Sequence, residues 1–375
     1  MSMVQIGVVG AGAWGRNLIR NVAGGGGEFC LAAVCDCDAR ARREAAARYP
    51  GVRLYEEFSD ILNDSRLDGL IIATPSALHY EQASAAFRAG FHVLVEKPMC
   101  MTSEQAVTLV RTARAAQRVL MAGHTFLYSN LVEEVRRRIA EGDLGEVLCI
   151  YSQRLNLGRV RQDVDALWNF APHDISIAGY LLDRWPSGVN ARGAGFLQRP
   201  ENIADVAFFQ MDYDDGRFMA GHVSWLDPQK VRRMVVVGSE KMLVYDDIDS
   251  QRHIQIYDKS VQVEFQSSAT DFSDFRTRVR AGDLVVPNIR LVEPLGVEIA
   301  HFAECMRTGG VPRSDGINGL RVVCVLEAMS RSMACDGARI EVDYPADPSD
   351  AAVFPVKPYR CPPLHGHRIA GVGQA

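Results

Sequence analysis

The stretch that decides the fold is Val4-Gln5-Ile6-Gly7-Val8-Val9-Gly10-Ala11-Gly12-Ala13-Trp14-Gly15, followed after a helical segment by Leu31-Ala32-Ala33-Val34-Cys35-Asp36. The first six residues read as a strand buried on both faces, because a parallel sheet covered by helices needs a nearly unbroken apolar run. Three glycines then follow with the spacing of a dinucleotide fingerprint. Gly10 permits a tight turn, Gly12 lets backbone approach a pyrophosphate, and Gly15 lets the next helix pack closely on the strand. Ala13 and Trp14 lie in the same loop and are candidate cofactor contacts. The pyrophosphate would sit at the helix N-terminus, where free N–H groups and the helix dipole favour anions. Asp36 ends the second strand about 20 residues past Gly15, where a carboxylate accepts hydrogen bonds from ribose hydroxyls. Beside a 2′-phosphate it would repel, so NAD is favoured over NADP; Asp38 and Arg40 lie close enough to keep NADP open.

Composition bounds the rest. At 375 residues, with 47% hydrophobic and 23% charged positions, the chain has the makeup of a soluble two-domain enzyme. A net charge of -5 without basic runs argues against nucleic acid or an anionic membrane as the main partner. No apolar run reaches the roughly 18 residues of a membrane span, and no signal-peptide pattern opens the chain, so a cytoplasmic location is expected. The nine cysteines, odd in number and irregularly placed, read as reduced thiols. No Cys/His group has metal-ligand spacing, and no metal site is expected.

Residues 4 to about 124 alternate strand and helix patterns, which implies a parallel sheet with helices on both faces. From about 147 the texture changes. Residues 147–154, 206–213, 217–225, 231–237, 242–246 and 253–257 read as successive strands joined by short turns, hence an antiparallel sheet. Helical patterns follow at 293–307 and 319–334, and the Pro- and Gly-rich stretch from 344 onward reads as irregular.

Ligands in an open parallel sheet bind beyond the carboxyl ends of its strands. Thr74-Pro75 and Glu96-Lys97-Pro98 lie at two such ends, on the rim of the glycine loop, and Thr74, Pro75, His79, Glu96 and Lys97 are candidate cofactor contacts. Lys97 reads either as a surface lysine paired with Glu96 or as an ammonium that touches a reacting hydroxyl and lowers its pKa. A second cluster is Trp168-Asn169-Phe170-Ala171-Pro172-His173-Asp174. A helix beginning near Asn169 would accept Pro172 in its first turn and place Asn169 and His173 one turn apart on one face. His173 reads as a proton acceptor, since imidazole titrates near pH 6.5, or as a packed residue at a helix start. Asp174 reads as a partner for His173 or as a favourable charge at a helix N-terminus. Downstream of a strand, Arg154, Asn156, Arg159 and Arg161 suggest either a diphosphate clamp or a solvated loop. Tyr128 and Trp168 are candidate ring-stacking residues for a sugar or nicotinamide.

Taken together, the glycine fingerprint, Asp36, Glu96-Lys97-Pro98, the turn Gly142-Asp143-Leu144-Gly145-Glu146-Val147 and the segment from Trp168 to Asp174 occur in the order of one family. The chain resembles the glucose–fructose oxidoreductase / inositol dehydrogenase / MocA (Gfo/Idh/MocA) family over roughly residues 4–345. The resemblance implies an α/β Rossmann domain with a parallel sheet (1–124), an α+β domain on a large, mostly antiparallel sheet (125–345) that binds substrate and builds homodimers or homotetramers, and an irregular tail (346–375). It also implies that Lys97 and His173 are catalytic. The family usually carries aspartate where this chain has Asn169. A carboxylate beside imidazole raises its pKa, and a neutral amide does not; Asp174, Asp165 or a larger share for Lys97 would compensate. The family's later aspartate is also missing, since Ser176 and Ile177 stand there. The His173-Asp174 pair resembles a subgroup acting on nucleotide sugars and antibiotic sugars. The function implied is an NAD-dependent dehydrogenase or ketoreductase of a secondary sugar hydroxyl, with C3 of a nucleotide-linked hexose favoured. Rivals are a free inositol, glucose or aminoglycoside dehydrogenase, a glycoside hydrolase using held NAD, and a non-catalytic NAD sensor.

Overall fold

Strands β1 (Val4–Val9), β2 (Phe29–Cys35), β3 (Arg53–Tyr55), β4 (Gly69–Ile72), β5 (His92–Glu96) and β6 (Leu120–Gly123) alternate with helices α1 (Gly15–Ala23), α2 (Ala39–Arg48), α3 (Phe58–Ile61), α4 (His79–Arg88) and α5 (Ser103–Ala115). The computed structural model describes residues 3–158, 160–197, 203–264 and 276–345. The six strands are all parallel and run in the order β3-β2-β1-β4-β5-β6. The strand order reverses between β1 and β4, which opens a crevice at their carboxyl ends. Ile6, Val8, Leu70, Ile71, Ile72, Val93, Leu94 and Val95 are fully buried, and each such side chain contributes about 1.5–3 kcal/mol relative to exposure.

The chain continues through α6 (Asn130–Ala140), β7 (Val147–Leu155), α7 (Ala166–Leu182), β8 (Gly188–Ala194), β9 (Val206–Asp212), β10 (Phe218–Ser224), β11 (Val231–Gly238), β12 (Met242–Asp246), β13 (Ile254–Glu264), β14 (Arg276–Val285), α8 (Pro294–Thr308), α9 (Gly316–Ala334) and β15 (Ile340–Glu341). These nine strands form a second sheet, β14-β13-β12-β11-β7-β10-β9-β8-β15. It is antiparallel except that β7 and β10 run parallel. The exception corrects the expectation of successive hairpins: α7, β8 and β9 separate β7 from β10 in sequence, and a crossover of that length can return the chain in the same direction. The hairpin at Asp214-Asp215-Gly216 forms as read, with Gly216 at φ +86° and the Tyr213 N–H donating to the Arg217 carbonyl at 3.0 Å. Helices α7 and α9 pack on the inner face of this sheet.

Helix α7 begins earlier than its composition suggests. Asp165 is the N-cap and accepts from the Trp168 N–H at 2.8 Å, so Pro172 lies inside the helix rather than in its first turn. The capping bond outweighs the proline's preference for a helix start. The i, i+4 relation of Asn169 and His173 does not depend on where the helix starts.

The two halves are stitched at β6. The Ala122 N–H donates to the Ser314 carbonyl at 2.8 Å and Ser314 Oγ donates to the Ala122 carbonyl at 2.7 Å. Met121 and Asp315 form an antiparallel bridge, and Asp315 then caps α9 by accepting from the Asn318 N–H at 2.8 Å. Among the described residues no helix is long and apolar enough to cross a membrane, no group of His, Cys, Asp and Glu could hold a metal ion, and eight cysteines are free. The tail from 346 onward and Arg159 lie outside the described residues.

The glycine turn makes opposite demands at two positions. A Cβ on Gly15 would overlap the Gly10 carbonyl oxygen, whereas one on Gly12 meets nothing within 4 Å. Gly15→Ala should therefore lower the unfolding free energy by about 2–3 kcal/mol in urea melts, and Gly12→Ala should stay within about 0.5 kcal/mol of the parent while weakening dinucleotide binding. Coincident melts for Gly15→Ala and the parent would show that the turn relaxes.

Candidate functional site

The N-terminus of α1 faces the crevice with an open anion cradle. Gly12, Ala13 and Trp14 are exposed, and their N–H groups donate to nothing among the described residues. Gly10 sits at φ +94° with its Cβ position 2.7 Å from the Ala73 carbonyl oxygen, so no larger residue fits the turn. Asp36 is held at the rim of this cradle. Its Oδ2 accepts from the Ala11 N–H at 2.6 Å and its Oδ1 from the Asp38 N–H at 2.8 Å. The half-buried carboxylate is thus oriented before any diol reaches it. Exposed N–H groups, a site for close backbone approach and a fixed carboxylate fit a dinucleotide.

Lys97 leaves the carboxyl end of β5 and crosses to the second half of the chain. Its Nζ donates to the Asn169 carbonyl at 2.9 Å, with Asn169 Oδ1 at 3.5 Å. Pro172 lies on the next turn of the helix. A proline inside a helix removes an N–H and crowds the carbonyl four residues back, here that of Trp168; the acceptor for Lys97 is the following carbonyl, that of Asn169. One turn further along α7, the half-buried His173 stands edge-on to Phe126, with ring centroids 4.9 Å apart at 74°. Its Nδ1 is buried with no hydrogen-bond partner among the described residues. Burial, and then the positive charges of Lys97, Arg154 and Arg232, hold the His173 imidazole well below its usual 6.5. Burial also pushes Lys97 down to about 8; Glu96 opposes this, while Arg161, Arg154 and Arg232 reinforce it. The pair thus combines a neutral imidazole with an ammonium that releases its proton readily.

Several expected contacts are placed elsewhere. Asp174 does not hold His173 and is not at the helix N-terminus. It is buried against Arg154, whose Nη2 donates to Oδ1 at 2.8 Å. The same pair removes Arg154 from the role of a diphosphate clamp, because a guanidinium already neutralised inside the protein has no free face for a ligand. Tyr128 is 3% exposed and spends its hydroxyl on Ser314, so it is a joint between the two halves rather than a stacking surface. Trp168 likewise turns inward, its Nε1 donating to Ser330 Oγ on α9 at 2.9 Å. Asn156 lies past the end of β7 with its N–H on the Ser224 carbonyl at 3.0 Å and its side-chain amide against Gly158.

Two rim residues also point into the protein. Glu96 is buried, accepting from Trp14 Nε1 at 2.5 Å and from the Lys97 N–H at 3.2 Å. It ties the glycine loop to the strand that carries Lys97. His79 is 1% exposed, with Nε2 2.9 Å from the Thr74 carbonyl and Nδ1 2.8 Å from the Pro98 carbonyl. It braces the Thr74-Pro75 and Lys97-Pro98 loops against each other. Thr74 is half-buried, with Oγ1 on Gln82 Oε1 at 2.6 Å, and Pro75 is exposed.

Three residues at the site carry little signal in the sequence. Phe126 and His124 follow β6, at the same strand-end rim that singled out Lys97, and this position alone would have found them. Burial pushes His124 down to about 4, and its Nδ1 is 2.7 Å from Asn318 Oδ1. Arg232, on β11, has no local signal. It reaches the site because β11 pairs with β7 and sets Arg232 directly opposite Arg154, both guanidiniums lying over the Phe126 ring at 5.8 and 4.7 Å from its centroid.

Comparison with known proteins agrees with this geometry. Residues 4–124 match the model of an oxidoreductase family with an NAD-binding Rossmann fold, and residues 132–244 match the GFO/IDH/MocA C-terminal domain. The scyllo-inositol 2-dehydrogenase (NADP(+)) IolW of Bacillus subtilis is 25% identical over 305 residues, 77% of this chain and 83% of the relative. The UDP-N-acetylglucosamine 3-dehydrogenase of Acidithiobacillus ferrooxidans is 26% identical over 255 residues, 68% and 77% of the two chains. An inositol dehydrogenase homologue from Azotobacter vinelandii, solved with NADH and myo-inositol, superposes with a TM-score of 0.75 at 22% identity over 91% of this chain and 98% of the other. A fingerprint that cradles a dinucleotide, a strand-end lysine joined to a second-domain helix, and both family models together establish that the chain belongs to the Gfo/Idh/MocA family of NAD(P)-dependent sugar and polyol oxidoreductases.

Proposed function

We propose that this protein is an NAD-dependent dehydrogenase of a secondary hydroxyl on a sugar, with Lys97 and His173 acting on one carbinol. The observation that carries the reading is the bond from Lys97 Nζ to Asn169, one turn before His173. It supports a reading in which the two groups act on one carbon at the dinucleotide crevice. When bound, the nicotinamide supplies the hydride acceptor. The protein's part is to handle the hydroxyl. Lys97 donates a hydrogen bond to the oxygen and stabilises the charge that develops there. His173, neutral at pH 7, accepts the hydroxyl proton. Asn169 holds the ammonium in place through neutral oxygens, and Asp174 acts at a distance by neutralising Arg154. NAD is favoured over NADP because the Asp36 carboxylate stands where a 2′-phosphate would be repelled.

The substrate favoured is a nucleotide-linked hexose oxidised at C3, on the strength of the UDP-N-acetylglucosamine 3-dehydrogenase relative; the inositol dehydrogenase relatives favour free inositol as the rival. The division of labour assigns residues 1–124 to the cofactor and 125–345 to substrate and assembly. Assembly as a homo-oligomer is supported by the outer face of the second sheet, where Tyr151 is 45% and Phe208 57% exposed and Phe208 stacks on His222 at 4.1 Å. Light scattering of Phe208→Asp should show smaller particles than the parent, and an unchanged mass would remove that face as the interface.

Following NADH absorbance over a panel of nucleotide sugars, inositols and aminoglycosides tests the activity directly. Lys97→Ala and His173→Ala should each lower kcat by about 10²–10⁴-fold with NAD affinity retained, and full turnover in both would overturn the assignment. The pH profile is a separate test. Because Lys97 must be charged and falls to about 8, kcat/KM should decline as pH rises through that value. The acid limb should lie well below 6.5, since His173 must be neutral. Asn169→Asp adds a carboxylate beside the ammonium, raises the Lys97 pKa and should move the alkaline limb upward by about one pH unit. A limb that stays in place would separate Lys97 from the alkaline transition.

A further inference from the structure

The charges around the reacting groups do not balance in the manner of a site built for a neutral polyol. Among the described residues Lys97 Nζ bonds only to oxygens of Asn169, a residue without charge. The Glu96 carboxylate beside it in sequence is turned away, bonded to Trp14 and to the Lys97 backbone. On the other side, β7 and β11 set two arginines directly opposite each other on the inner sheet face. Like charges in a cross-strand pair are destabilising unless something neutralises them. Asp174 does this fully for Arg154, through contacts from both Nε and Nη2.

Arg232 is treated differently. Its guanidinium makes a single hydrogen bond among the described residues, from Nη1 to Asp247 Oδ2 at 3.0 Å. The side chain is 38% exposed, against 6% for Arg154. A guanidinium carries five N–H donors, so most of its fork is unspent. It shares a neighbour with the candidate catalytic histidine: it lies over Phe126, 5.8 Å from the centroid, and His173 touches the same ring at 4.9 Å. The permanent charges that act most strongly on the His173 ring, those of Lys97, Arg154 and Arg232, all have the positive sign.

We propose that the substrate carries an anionic group, a carboxylate or a phosphate, on the reacting sugar itself, and that Arg232 receives it through its free guanidinium edge. The anion supplies the negative charge that Asn169 lacks. Planar guanidinium and carboxylate or phosphate match two bonds to two oxygens, which fixes the ring's orientation as well as its position. Arg232 is then the specificity-determining residue. Arg232 and His173 share the single neighbour Phe126, which favours an anion on the reacting sugar over one further out along a nucleotide. The proposal rests on the dehydrogenase reading and names the substrate class of that site.

Matched sugars test it. With NADH-loaded enzyme, calorimetry compares glucose with glucuronate and with glucose 6-phosphate, and UDP-glucose with UDP-glucuronate, at low and high salt. An acidic member should bind at least tenfold more tightly than its neutral partner, and the gap should narrow in salt. The glucuronate and phosphate arms tell carboxylate from phosphate. Arg232→Gln should shrink the gap below threefold. Asp247→Asn releases the guanidinium from its one internal bond and should widen the gap, a change of opposite sign that a merely destabilised variant would not give. Equal binding of every acidic and neutral pair, or a gap that survives in Arg232→Gln, overturns the proposal. NADH production from neutral sugars alone would sink the anion and leave the dehydrogenase standing. Arg232-dependent binding of acids with no NADH from any sugar would do the reverse.

Discussion

A lysine ammonium that leaves one sheet and hydrogen-bonds to a helix of another domain is the constraint around which this molecule is arranged. Burying a cation costs several kcal/mol unless polar groups receive it. Among the described residues Lys97 is received by Asn169 alone, so the helix bearing that residue must stay in register with β5. Around this bond the structure invests in bracing. Glu96 anchors Trp14 of the glycine loop, His79 spans two strand-end loops, and Ser314 bonds both ways with Ala122. Each of these ties one rim element to another. The reacting groups can be held in a fixed relation only because their supports are not themselves loose loops.

The use of neutral oxygen at Asn169 also governs the electrostatics. With a carboxylate in that position, Lys97 would be stabilised as an ammonium and the imidazole on the next turn would gain basicity. With an amide no such counter-charge opposes the effect of burial and of the neighbouring cations, which move both groups toward their neutral forms. Such a site is more sensitive to the charge of whatever enters it than one that carries its own counter-ion.

Much of the fold was legible because its signals are local. The apolar run before Gly10, the acid after Val34-Cys35 and the Glu96-Lys97-Pro98 strand end are each short-range patterns with one physical reading. Asn169 and His173 survived an error in the helix start because a spacing of four holds wherever a helix begins. What could not be read depends on register between distant strands. Arg154 looked like a ligand clamp because its partner Asp174 is 20 residues away on another element, and nothing in either neighbourhood announces the pairing. Tyr128 and Trp168 looked available for stacking because residue type reports an aromatic surface but not which side of a domain joint it faces. Arg232 was invisible for the same reason, since only the alignment of β11 with β7 brings it to the crevice.

The short segment at Ser314 and Asp315 has an effect beyond joining two domains. A parallel sheet of this kind ends in outer strands whose unsatisfied N–H and C=O groups invite another chain to pair with them. At one end lies β3, only three residues long, too short to template much. At the other, β6 is a run of Leu, Met, Ala and Gly that would otherwise be an adhesive border. By laying two residues of its own chain against that border before launching α9, the protein closes one edge at which a neighbouring strand could add.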